Sequence, residues 1–157
     1  SLSVDVAWLV KTPCASVNCP PARSISASVD DDGYNINCEL IGSKESSGLL
    51  FSAKKLDGNE VEYGIELRNG LVVNNEFVGG DECVFKVIEG NQYEGACGTS
   101  APSEDSPCQV SNFAANGGTI SLNILCQGLP LPGTDQQVSV IAPTGISQPL
   151  AVTCKNL

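Results

Sequence analysis

Histidine is absent from all 157 residues of this chain. That absence removes the commonest general base, the Ser-His-Asp and Cys-His nucleophile arrangements, and every histidine-ligated metal site. Aromatic residues are few, at one Trp, three Tyr and four Phe. Nearly all of them fall on inward-facing positions of alternating segments, so they do not suit a sugar-cleaving cleft. Positive charge is scarce as well: 8 Lys and Arg stand against 18 Asp and Glu, for a net charge of −10. An acidic surface repels phosphate backbones and anionic headgroups, so nucleic acid and membrane surfaces are expected to be poor partners. No apolar run is long enough to span a bilayer. No Asn-x-Ser/Thr acceptor occurs, which tilts the expectation towards a bacterial exported protein.

Cysteine, by contrast, is abundant. Eight stand at Cys14, Cys19, Cys38, Cys83, Cys97, Cys108, Cys126 and Cys154. An even count in a chain with no histidine predicts a disulfide framework made in an oxidising compartment. That implies a secreted or cell-surface location, with a signal peptide already removed ahead of Ser1. A first residue other than cysteine argues against a lipoprotein anchor. Hydrophobic residues make up 41% and charged residues 17%, enough for a packed core that the bridges reinforce and do not replace.

Alternation of apolar and polar residues dominates the chain and predicts an all-β fold. The expected architecture is an antiparallel β-sandwich, Ig-like or jelly-roll-like, of about ten strands. One domain over 1–157 is expected, with a possible division into 1–98 and 108–157 across the Pro/Ser/acid-rich linker 99–107. Two hairpins carry turn chemistry: Arg23–Asp30 with Tyr34–Ile41 around Asp31-Asp32-Gly33, and Val61–Arg68 with Leu71–Val78 around Asn69-Gly70. The second is the strongest turn signal present, because a type I′ turn needs positive φ at both central residues.

Hairpin symmetry narrows the bridge pattern. Cys83 and Cys97 are equidistant from Gly90, and Cys108 and Cys126 from Gly117, so each pair is expected to face across a hairpin. The remaining four are expected as Cys19–Cys38 and Cys14–Cys154, the last tying the chain ends together. Cys19 to Cys38 and Cys108 to Cys126 also form a faint internal echo of cysteine, hairpin, cysteine.

Candidate sites are sparse. Asp30 and Asp32, in the run Asp30-Asp31-Asp32-Gly33, form a weak Ca²⁺ candidate that the strand-like flanks read more simply as an acidic hairpin tip. Cys14-x4-Cys19 lacks the second half of a zinc site. Glu60, Glu62, Glu66, Glu89, Glu94, Glu104 and Asp105 supply carboxylates for a two-acid hydrolase, a third reading that a solvated acidic face accounts for more simply. Ser-Lys catalysis needs a desolvated lysine, whereas Lys54, Lys55 and Lys86 read as exposed. No catalytic residue, cofactor or metal site is expected.

The most suggestive segment is the first. Leu2, Val4, Val6, Trp8 and Val10 form an apolar comb ahead of a proline-punctuated stretch. Such a comb is either the domain's own first strand or a strand inserted into a neighbour. The pattern is similar to the donor strands of strand-exchange pilins, a resemblance confined to about ten residues that identifies no family. The leading expectation is therefore a non-catalytic structural protein, a subunit of a surface filament or layer that polymerises with itself through residues 1–10. The alternative is a secreted binding or adhesion module, acting as a monomer on a protein partner through loops 42–48, 99–107 and 128–135.

Overall fold

A computed structural model describes residues 1–12 and 19–157. Its described residues contain strands and no helix. The strands are β1 (Ser3–Lys11), β2 (Arg23–Ser28), β3 (Tyr34–Gly42), β4 (Ser46–Asp57), β5 (Glu60–Val73) and β6 (Glu76–Gly79). They continue with β7 (Val84–Glu89), β8 (Asn91–Gly98), β9 (Cys108–Asn116), β10 (Thr119–Pro130), β11 (Gln137–Ile141) and β12 (Leu150–Lys155).

All twelve are hydrogen-bonded into one sheet in the order β11-β1-β12-β10-β9-β8-β7-β5-β4-β3, with β2 on β1 and β6 on β5. β11 and β12 share one slot. Residues 3–6 of β1 pair with β12 and residues 9–11 pair with β11, and β10 borders both from the far side. The pairing is mixed, not wholly antiparallel: β8 runs parallel to β9 at Cys97↔Cys108 and Gly98↔Gln109. The linker 99–107 makes this possible, because a parallel pair cannot be joined by a tight turn.

The sheet folds back on itself. β12 and β3 lie seven steps apart in the strand order, about 34 Å if the sheet were flat. Yet Cys38 on β3 and Cys154 on β12 form a disulfide with a Cα–Cα distance of 6.4 Å. Folding over encloses a single core cluster. Val4, Val6 and Trp8 of β1 lie in it together with Leu49 and Phe51 of β4, Leu67 of β5 and Phe85 of β7.

That bridge corrects two expected ones. Cys19–Cys38 and Cys14–Cys154 are excluded, because Cys38 and Cys154 are joined to each other. Hairpin symmetry pairs cysteines within one ribbon, whereas this contact crosses the core and depends on how the sheet folds. Cys19 is itself disulfide-bonded, and Cys14 lies outside the described residues. The echo between the two cysteine hairpins therefore does not extend to their bonding. Two further bridges between described residues are Cys83–Cys97 and Cys108–Cys126.

The second of these depends on a bulge. The β9–β10 turn is Gly117-Gly118, both at positive φ, with Asn116 opposite Thr119. Unbroken, that register sets Gln109 opposite Cys126. A register shift occurs between Ser121 and Asn123, where Asn112 adopts φ 52°. One extra residue on β9 thus brings Cys108 opposite Cys126.

Asn69-Gly70 is likewise a bulge and not a turn. Both residues lie inside β5, where Leu49 pairs with Gly70 and Phe51 with Leu67, so two β5 residues oppose Leu50. Asn69 holds φ 58°. Of the pair only Asn69 is left-handed, and it serves a kink. The hairpin turn falls at Asn74 and Asn75, with φ 49° and 67°, which matches a type I′ tip.

Candidate functional site

The comb of β1 is held by its own chain. Val4, Val6, Trp8 and Val10 are buried, and Leu2 packs against the cluster. β2 pairs along one edge of the strand, and β12 then β11 along the other. Both rows of main-chain groups are engaged along most of the strand, and its buried residues alternate as its sequence does.

Trp8 leads into a second group. Its ring lies 6.1 Å from that of Tyr63 on β5. Arg23, at the start of β2, stacks over Tyr63 at 4.2 Å and donates from Nε and Nη2 to the two carboxylate oxygens of Glu89, at 2.9 and 3.1 Å. The hydrogen bonds from Arg23 to Glu89 raise the guanidinium above its ordinary value. This fork and stack closes one flank of the core.

The acidic strand positions form an ion-pair ladder. Glu66 on β5 accepts from Lys54 Nζ of β4 at 2.7 Å and from Arg68 Nη1 at 3.1 Å. Arg68 Nη2 donates to Glu94 of β8 at 3.2 Å. Burial pushes the Glu66 carboxyl up, but the bonds and charges of Lys54, with Lys86 and Arg68, outweigh it and hold the group below its ordinary value. A general acid for glycoside cleavage needs the opposite shift. Lys54 is half-buried in this ladder and not exposed as its sequence position suggests.

The Asp30–Asp32 run sits in the β2–β3 turn. Asp31 accepts the Ser28 N–H at 2.8 Å, and the Asp30 N–H donates to Ser28 Oγ at 3.1 Å. Those bonds shape the tip. Asp30 and Asp32 are exposed, and no group of three His, Cys, Asp or Glu side chains among the described residues is placed to hold a metal ion.

Two concavities lie at opposite ends of the β1–β12–β10 strands. At the end where β1 finishes, a cleft of about 790 Å³ is lined by Lys11, Tyr93, Asp135, Gln137, Ser139 and Ser147, among others. None of these six side chains has a hydrogen bond or ion pair with another described residue. Amides, hydroxyls, one cation and one anion offer donors and acceptors in balance, suiting a polar ligand of little net charge. At the other end, a groove of about 580 Å³ runs between Leu2, Leu40, Ile120 and Leu157, with Asn75 and Asn116 at its rim.

Of the loops expected to make contacts, 128–135 borders the polar cleft through Gly128 and Asp135. Loop 42–48 is mostly strand, with only residues 43–45 outside β3 and β4, and it borders two smaller concavities, one at Ser43 and Lys44 and one at Ser46 and Gly48. The 99–107 segment supplies the crossover between parallel strands. Lys11, Tyr93, Ser139 and Ser147 carried no sequence signal, since only folding brings four separate segments together. No family model, curated protein or solved structure matches the chain.

Proposed function

We propose that this protein is a non-catalytic, extracellular recognition module, a disulfide-reinforced sandwich-like domain that acts as a monomer. The polar cleft between the end of β1 and the 131–136 segment is its contact surface. One observation carries the reading: β1 is paired on both sides within its own chain while its comb fills its own core. A domain so completed needs no neighbour to finish its sheet. The engaged carboxylates of the Glu66 ladder and the absence of histidine support a role without proton transfer.

A second reading, a cell-surface filament assembled by donor-strand exchange of residues 1–10, takes the same pairing the other way: an apolar comb hydrogen-bonded along both edges is also the form a donated strand adopts. Negative-stain microscopy with light scattering on the oxidised protein separates the two. Monodisperse monomer is the expected result. Open fibres that disappear when residues 1–10 are deleted, with a soluble domain left behind, overturn the module reading and establish the second.

A further inference from the structure

The chain contains two Asn-Gly pairs, Asn69-Gly70 and Asn116-Gly117, and the fold treats them oppositely. In such a pair the backbone nitrogen of the glycine can attack the asparagine side-chain carbonyl carbon. A new N–C bond closes a five-membered succinimide and ammonia leaves. Water then opens the ring at either carbonyl, giving aspartate or isoaspartate. The step needs no oxidant and no cofactor. It needs a deprotonated amide, the lack of a side chain after the asparagine, and a backbone free to bring the two atoms together.

We propose that Asn116-Gly117 is a self-modifying site of this kind, and that Asn69-Gly70 is shielded from the same chemistry. Asn116 ends β9 and is exposed, and Gly117 and Gly118 form the turn tip. A Cβ built on Gly117 meets nothing within 4 Å. The Asn116 side chain has no hydrogen-bond partner among the described residues, so none is lost when it rotates. In a two-residue hairpin the first central amide stands outside the ladder, open to solvent base.

Asn69 is exposed too, but its partner is not. Gly70 is buried within β5, between β4 and the β6 segment. A Cβ built there lies 2.7 Å from Phe77 Cε2 and 3.0 Å from Leu67 Cδ2. Swinging the Gly70 nitrogen towards the Asn69 side chain requires opening the sheet, whereas the β9–β10 tip opens locally.

The product alters a specific place. Asn116 lies at the rim of the apolar groove beside Leu2, Leu40, Ile120 and Leu157, so conversion sets a carboxylate against apolar surface. The isoaspartyl form also lengthens the main chain by one methylene, which a type I′ turn cannot absorb. Two contacts depend on that turn and its approach: Leu157 N–H to Gly118 C=O at 3.1 Å, and Asn75 Nδ2 to Ala115 C=O at 3.2 Å. The groove thus changes with the age of the molecule, whatever it binds.

Incubating the oxidised full-length protein near pH 8 and near pH 6, with peptide mass spectrometry at both sites, tests the proposal. Conversion at Asn116 is expected to exceed that at Asn69 by about tenfold or more, to run faster at the higher pH, and to yield isoaspartate detectable by enzymatic methylation. Asn116→Gln should abolish that methylation and Asn69→Gln should leave it unchanged. Unfolded, reduced chain should convert at both sites. Equal conversion of the two sites in the folded protein, or an inert Asn116 where the unfolded chain reacts, overturns the proposal.

Discussion

At the scale of single residues, Trp8 shows how a core position can be both well packed and imperfect. It is fully buried, yet its Nε1 has no hydrogen-bond partner, the one such buried side-chain atom among the described residues. An unmet buried donor costs about 1–3 kcal/mol. Trp8→Ala should lose about 3–5 kcal/mol by leaving a cavity, whereas Trp8→Phe removes the orphan N–H along with some volume and should cost clearly less. Urea unfolding followed by far-ultraviolet circular dichroism measures both, since either variant lacks the chain's one tryptophan. Both variants remove the orphan donor alike, so equal losses would mean that the ring kept by Trp8→Phe fills none of the pocket.

At the scale of elements, the outer face of β4, β5, β7 and β8 is stitched by charge. Glu66 sits opposite Lys86 in register and bonds Lys54 and Arg68. Its carboxyl is depressed below the ordinary value of 4.5. A depressed carboxyl contributes stability that is present above its unfolded value and is lost as pH falls through its folded value. Glu66→Gln should therefore destabilise the protein at neutral pH and flatten the decline in stability below about pH 4.5. Melting temperatures of both proteins between about pH 2 and pH 7 test this; parallel curves would assign the ladder no linked role. The same strands show why turn residues mislead. Asn69-Gly70 satisfies every local requirement of a hairpin tip, but β5 continues through it because Leu67, Gly70 and Val72 each find a buried place in the sheet.

At the scale of the whole molecule, the Cys38–Cys154 bridge closes 116 residues, against 14 for Cys83–Cys97 and 18 for Cys108–Cys126. In the chain-entropy view the long loop contributes about 5 kcal/mol and each short one about 3. Replacing Cys38 and Cys154 together by serine should lower the urea midpoint more than replacing Cys83 and Cys97. The reverse order would mean that the fold-over of the sheet is held by its core and not by this staple. The three bridges between described residues suit an oxidising, extracellular setting, and no helix among the described residues is long and apolar enough to cross a membrane.

The alternating pattern by itself determined that the chain is built of strands and that Val4, Val6, Trp8 and Val10 face a core, and hairpin symmetry that Cys83 and Cys97 lie within bonding reach, whereas Cys108 meets Cys126 only through the bulge in β9. Each of the first three depends on side chains two residues apart or on partners across one turn, where local sequence and local geometry coincide. Tertiary structure alone decided that Cys38 meets Cys154, that β8 and β9 run parallel, that Asn69-Gly70 kinks a strand, and which segments line the two concavities. Those outcomes arise from how a twelve-stranded sheet closes over one apolar interior. Contacts between residues a hundred positions apart leave no trace in the periodicity of either segment.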